Sequence, residues 1–196
     1  IYIMNNTNNK NYWNKITGIK KHPLTFIHTP KCGGSFVTSI LSTLNIKSKG
    51  HTLADPKNDG ITFTVIRNPI ERFESLINYR LTESKPRCDF PKSLHYAYKD
   101  TSISLNEIVG KMTDSEILGF TPYRSLCFWS ENIDIFITID KLEEFLSFFG
   151  YKINITEFQH INVSKKTRGK FNEATKKRIS NLYSDDMVLY RRVILD

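Results

Sequence analysis

One local pattern occurs twice in this chain: a short β-prone run, a break made by glycine or proline, then apolar residues at helical spacing. In the first copy Leu24-Thr25-Phe26-Ile27-His28 breaks at Pro30, Gly33 and Gly34. Phe36, Val37, Ile40, Leu41 and Leu44 then recur on one face of a predicted helix, with Ser35 near its start. In the second copy residues 61–66 form a nearly continuous β-prone run of the kind buried in parallel sheets. Pro69 follows, at a first helical turn where its missing N–H costs little, and Ile70, Phe73, Leu76 and Ile77 make the stripe. A third strand is predicted over residues 133–139. Asp140 and Glu143 read as a capping box opening the next helix, which Gly150 closes. Two more helical patterns cover residues 174–183 and 187–195. Strands alternating with helices specify an α/β fold with a mainly parallel sheet flanked by helices. At 196 residues the chain suits one domain.

The remaining stretches are read more coarsely. Residues 1–22, rich in Asn and Lys, form a loosely ordered N-terminal arm before a domain over 23–196. Residues 47–60 are a looser connection. Residues 82–120 are an irregular insert with a short helix near 105–112. No apolar run approaches the ~20 residues that cross a bilayer. The chain begins at Ile1, so an upstream anchor or signal, and with it the compartment, stays open. Three cysteines, Cys32, Cys88 and Cys127, are too few for a disulfide scaffold or a Cys-rich metal site, although a Cys88–Cys127 bridge is allowed. The 28 Lys and Arg against 20 Asp and Glu give a formal charge of +8. Such a balance fits a polyanionic partner or simply a basic surface. The aromatics lie mostly in apolar stripes instead of alternating with basic residues, which argues against a nucleic-acid partner. Oligomeric state is not legible.

Ligands of parallel α/β sheets bind at the carboxyl ends of strands, which directs attention to two loops. In Thr29-Pro30-Lys31-Cys32-Gly33-Gly34-Ser35, a strand turns through glycines into a helix N-terminus, where unpaired backbone N–H groups and the helix dipole favour an anion. Gly33 and Gly34 would let the anion reach the backbone, Lys31 adds a mobile charge and Ser35 a hydroxyl. The nucleotide-binding pattern G-x-x-x-x-G-K-[ST] is absent. Cys32 reads as a space-filler and not as a catalytic thiol. In Arg67-Asn68-Pro69-Ile70-Glu71-Arg72-Phe73-Glu74-Ser75, the guanidinium of Arg67 can fork onto phosphate oxygens, and Ser75 lies about two helical turns further on. Arg72 is expected to pair with Glu71 or another carboxylate.

These two segments, His28–Phe36 and Val65–Ser75, resemble the sulfotransferases that use 3′-phosphoadenosine 5′-phosphosulfate (PAPS), notably the carbohydrate branch that includes heparan sulfate 2-O-sulfotransferase. That family has P-K-[TC]-G-[GS]-[TS] around the 5′-phosphosulfate and R-[DN]-P-x-x-R-x-x-S around the 3′-phosphate, in this order. Weaker similarity continues through residues 135–149, 160–164 and 182–186. The resemblance implies a P-loop-like sulfotransferase fold and in-line sulfuryl transfer to a hydroxyl or amine, without a metal, leaving 3′-phosphoadenosine 5′-phosphate (PAP). Lys31, Cys32, Gly33, Gly34, Ser35 and Phe36 (the last through its backbone N–H) would cradle the phosphosulfate, with Lys31 also beside the leaving oxygen. Arg67 and Ser75 would take the 3′-phosphate. Lys165, Lys166 and Arg168, in a basic loop, would close over the nucleotide. His51, which precedes Arg67 as the family's catalytic histidine precedes its R-[DN]-P element, is the expected base, with His28, Glu71 and Glu74 as alternatives. The acceptor would be a glycan, anionic or neutral, and the 82–120 insert would help to shape its site. The competing readings are a non-catalytic nucleotide- or polyanion-binding module on the same fold and an atypical phosphotransferase.

Overall fold

The computed structural model describes residues 2–3, 23–57, 59–82, 91, 95, 97, 100–119, 124–158 and 168–195. Strands β1 (Tyr2–Ile3), β2 (Leu24–Ile27), β3 (Lys47–Lys49), β4 (Ile61–Val65) and β5 (Ile135–Ile137) form one sheet in the order β1-β5-β4-β2-β3. The four strands β5-β4-β2-β3 are parallel, and β1 pairs antiparallel on the outer edge of β5. Helices α1 (Gly34–Thr43), α2 (Pro69–Thr82), α3 (Leu105–Lys111), α4 (Asp114–Gly119), α5 (Leu126–Trp129), α6 (Leu142–Phe148), α7 (Glu173–Leu182) and α8 (Ser184–Leu195) complete the described elements. The α/β architecture with a mainly parallel sheet is therefore as expected.

The strand period of two divides the core. Leu24, Phe26, Phe63, Val65, Ile135 and Ile137 point to the face covered by α1 and α6. Ile27 and Phe136 point the opposite way, against Leu126 of α5 and Leu189 and Val193 of α8. The second face also buries Thr25, Thr62 and Thr64. Their hydroxyls are satisfied, Thr64 donating to the Ile27 carbonyl (2.7 Å) and Thr62 to Asp134 (2.8 Å). A separate cluster joins α2, α3, α4 and α7 through Phe73, Ile77, Leu105, Ile108, Ile117 and Ile179.

Several local expectations change. Among its described residues the insert holds helices α3 and α4, the first capped by Ser104, which accepts from the Glu107 N–H at 3.2 Å. Residues 47–49 form a strand, not a loose connection, and Tyr2–Ile3 of the arm adds to the sheet. The Asp140–Glu143 capping box does not form. A 3₁₀ turn, Ile139–Lys141, leads into α6, and Glu143 instead accepts from the Ile155 N–H (3.2 Å). Gly150 does close α6, in the left-handed region (φ 79°), with its N–H on the Ser147 carbonyl.

The topology decides where a ligand can sit. The chain moves from β2 outward to β3, then crosses back over β2 to β4 and on to β5. The strand order thus reverses between β2 and β4, the place where the loops leaving adjacent strands diverge and open a crevice.

Candidate functional site

The two loops singled out in the sequence leave β2 and β4, one on each side of this switch point, and they are fastened to each other. Arg72, 3% exposed, reaches from the first turn of α2 to the Pro30 carbonyl, its Nε donating at 2.9 Å. Its two terminal nitrogens donate to the Arg124 carbonyl just ahead of α5, at 3.1 and 3.2 Å. Arg72 therefore does not make the expected pair with Glu71. The reason is direction: it lies on the inward face of α2, whereas Glu71 is exposed. Arg67 takes that partner instead, Nε to Glu71 Oε2 at 3.1 Å, in an exposed i,i+4 pair of the weak, exchangeable kind. Asn68 opens α2 by accepting from the Ile70 N–H at 2.9 Å.

The first loop is held in an unusual backbone. Lys31 (φ 63°) and Gly33 (φ 85°) are both left-handed, a conformation that costs a lysine energy and persists only where neighbours enforce it. Gly33 is the N-cap of α1, with no side-chain cap and no acidic residue in the first turn. The two glycines also have packing reasons to lack a Cβ. One at Gly33 would come within 2.8 Å of Ile139 Cδ1, and one at Gly34 would overlap the His28 ring. Ser35 is exposed on the first turn of α1. The Phe36 ring is buried in the α1–α6 core, as its helix stripe requires. Cys32 fills space, as its reading in the sequence has it. Its side chain is 3% exposed, packed among Ile27, Leu126 and Leu189, and burial pushes its thiol up despite Arg72 and Arg67. It is a neutral space-filler whose thiol donates to the Pro30 carbonyl of the same loop at 3.7 Å.

Lys31 points across to α2, where its ammonium lies 3.8 Å from the centroid of the Tyr79 ring. Glu71, Ser75 and Tyr79 are spaced i, i+4, i+8 and share one face of that helix. Arg67 thus meets the stripe at its lower end and Lys31 at its upper end, with half-buried Ser75 between them.

His51 stands past the carboxyl end of β3, and His28 just past that of β2. Parallel pairing of β2 with β3 brings their rings edge to face at 4.4 Å between centroids. Trp129 of α5 flanks His51 at 6.3 Å. Burial, then His51 and Lys31, lower the half-buried His28 to about 4. His51 keeps an exposed edge, yet desolvation by its neighbours, then Arg72 and Lys31, hold it below the usual histidine value. Both imidazoles are neutral at pH 7, and a neutral imidazole can accept a proton.

Of the basic loop, Lys165 and Lys166 lie outside the described residues. Arg168 is described and is anchored to the same helix as Ser75. Its N–H donates to Asn78 Oδ1 (2.9 Å) and its guanidinium to the Asp100 carbonyl (2.8 Å). One turn earlier on α2, Glu74 accepts from the Phe171 N–H (2.9 Å) and pairs with Lys170 (2.8 Å). These bonds engage the Glu74 carboxylate structurally and remove it from the candidate bases.

No protein-family model, curated protein or solved structure matches this chain. No group of three or more metal-ligating side chains occurs among the described residues. No helix among them is long and apolar enough to cross a membrane. Sequence reasoning passed over two contributors to this geometry. Tyr79 carried no signal beyond its i+4 spacing from Ser75. Trp129 sits in a four-residue helix whose placement beside His51 depends on α5 packing against α8, where buried Asp186 accepts from the Leu126 and Cys127 N–H groups (2.6 and 3.1 Å).

Proposed function

We propose that this protein is a PAPS-dependent sulfotransferase that moves a sulfuryl group to a hydroxyl or amine, with a carbohydrate as the acceptor class. The observation that carries the reading is the Arg72–Pro30 bond. It joins two loops, each resembling one half of the family's donor site, at the switch point of a parallel sheet. The residues at hand suit a ligand with anionic groups at both ends: an uncapped helix start with Lys31 on one side, Arg67 and Ser75 on the other.

The donor, when bound, supplies an activated sulfuryl group whose bridging oxygen becomes the leaving group. The backbone of residues 33–36, with Ser35 and Lys31, holds the phosphosulfate, and Lys31 offsets the charge that develops on the leaving oxygen. Arg67 exchanges Glu71 for the 3′-phosphate, to which Ser75 adds a hydroxyl donor. Arg168, tethered to α2 through Asn78, covers the nucleotide together with Lys165 and Lys166 of the same basic segment. His51, neutral at pH 7, accepts the acceptor's proton as the new S–O bond forms and the bridging S–O bond breaks. His28, more buried and with the lower proton affinity, packs against His51 and orients it.

Calorimetric titration with PAP tests the reading. The expected result is saturable one-site binding, together with transfer of radiolabelled sulfate from PAPS to a glycan panel. Absence of any heat with PAP overturns it. Binding without transfer, unaltered by His51→Ala, identifies a nucleotide-binding module on the same fold.

A further inference from the structure

We propose that Tyr79 is a positioning residue for Lys31, holding its ammonium on the α2 stripe that also carries Ser75 and Glu71. The inference rests on the donor-binding reading given above and adds to it a residue that neither motif contains. Tyr79 is 40% exposed, so core packing does not account for an aromatic ring at this position. The Lys31 ammonium lies 3.8 Å from the ring centroid, within the range where the ring's negative face attracts a cation. Lysine has four rotatable side-chain bonds, so placing its ammonium takes a specific contact at the far end of the chain. Here the left-handed backbone at Lys31 fixes the start of the side chain and the Tyr79 ring fixes its end.

The spacing along α2 gives this hold its use. Glu71 holds Arg67 and Tyr79 holds Lys31, and the two positions are eight residues apart, about 12 Å along the axis. The helix therefore acts as a spacer between the two cations, with Ser75 midway. An aromatic face restrains Lys31 without cancelling its charge, as a carboxylate in the same place would. An arriving anion thus meets a cation that is already placed.

The test is PAP affinity by calorimetry for the wild type, Tyr79→Phe, Tyr79→Leu, Lys31→Ala and the Lys31→Ala/Tyr79→Leu double variant, with thermal melts to confirm folding. Tyr79→Phe is expected to bind as the wild type, and Tyr79→Leu about two- to fivefold more weakly. In the Lys31→Ala background, Tyr79→Leu is expected to change nothing further. Wild-type affinity in Tyr79→Leu, or full additivity with Lys31→Ala, overturns the proposal. If the wild type itself binds no PAP, the donor reading fails, and NMR then decides the role of Tyr79 separately. Ring-current-shifted Lys31 ε-methylene protons in the wild type and Tyr79→Phe, lost in Tyr79→Leu, support the hold. Unshifted protons in the wild type refute it.

Discussion

Two groups of basic side chains in this molecule use similar residues to opposite ends. On the edge strand β3, Lys47 and Lys49 close on Asp59, whose side chain is fully buried, at 3.1 and 2.6 Å. Burial alone would raise that carboxyl. Hydrogen bonds from Lys49, the Asp55 N–H and Lys47 outweigh it and hold the group at about 2. At the switch point, by contrast, Arg72 donates to carbonyl oxygens and Lys31 rests on an aromatic face. Carbonyls and rings restrain a cation without neutralising it. The first group is thus a closed ion cluster that fastens β3 to the start of β4, and the second braces the loops at the switch point. The difference lies in the partner and not in the type or number of basic residues.

The largest effects should come from the second group. Lys31→Ala and Arg67→Ala are each expected to lower transfer about 10²–10³-fold, measured with radiolabelled donor, with unchanged circular dichroism. Equal turnover in both variants would erase the distinction between the two groups. His51→Ala should cost about 10²-fold in turnover while PAP affinity by calorimetry stays the same. Because His51 is held below the usual histidine value, the acid limb of the rate profile should lie below pH 6.5.

The Asp59 cluster should respond in stability alone. Asp59→Asn is expected to cost about 2 kcal/mol in urea unfolding and to leave PAP affinity unaltered. The folded carboxyl titrates near 2 against 3.8 for the free group, so its contribution is complete above pH 4 and disappears as pH falls toward 2. A second pH effect on stability is expected at His28. Its folded value near 4 lies below 6.5, so the unfolded chain binds more protons between these values. Stability should therefore drop as pH falls from 6.5 to 4, and His28→Asn should flatten that slope in thermal melts.

Much of the fold was readable because periodicity and chain breakers act locally. The runs at Leu24 and Ile61, the stripes of α1 and α2, Pro69 at a helix start and Gly150 at a helix end all follow from such rules. The failures share a physical origin. Lys47–Lys49 has no apolar alternation, since an edge strand needs only backbone bonds on one side, and Tyr2–Ile3 is ordered by β5 and not by its own sequence. The capping box failed because a 3₁₀ turn took the first residues and Ile155 competed for Glu143. Arg72 missed the expected Glu71 because it lies on the buried face of α2, while Arg67, ahead of the helix, reaches the exposed Glu71.

The sequence by itself determined that strands and helices alternate, that two loops carry lysine, arginine and serine next to helix starts, and that the chain is basic. Such features depend on neighbours within a turn or two, and side-chain chemistry with chain geometry dictates them. Only the tertiary structure decided that Arg72 ties one loop to the other, that Lys31 lies over Tyr79, and that two histidines 23 positions apart share an edge. These contacts arise from strand order and helix packing, where many weak burial terms sum over distant segments and no local pattern records the total.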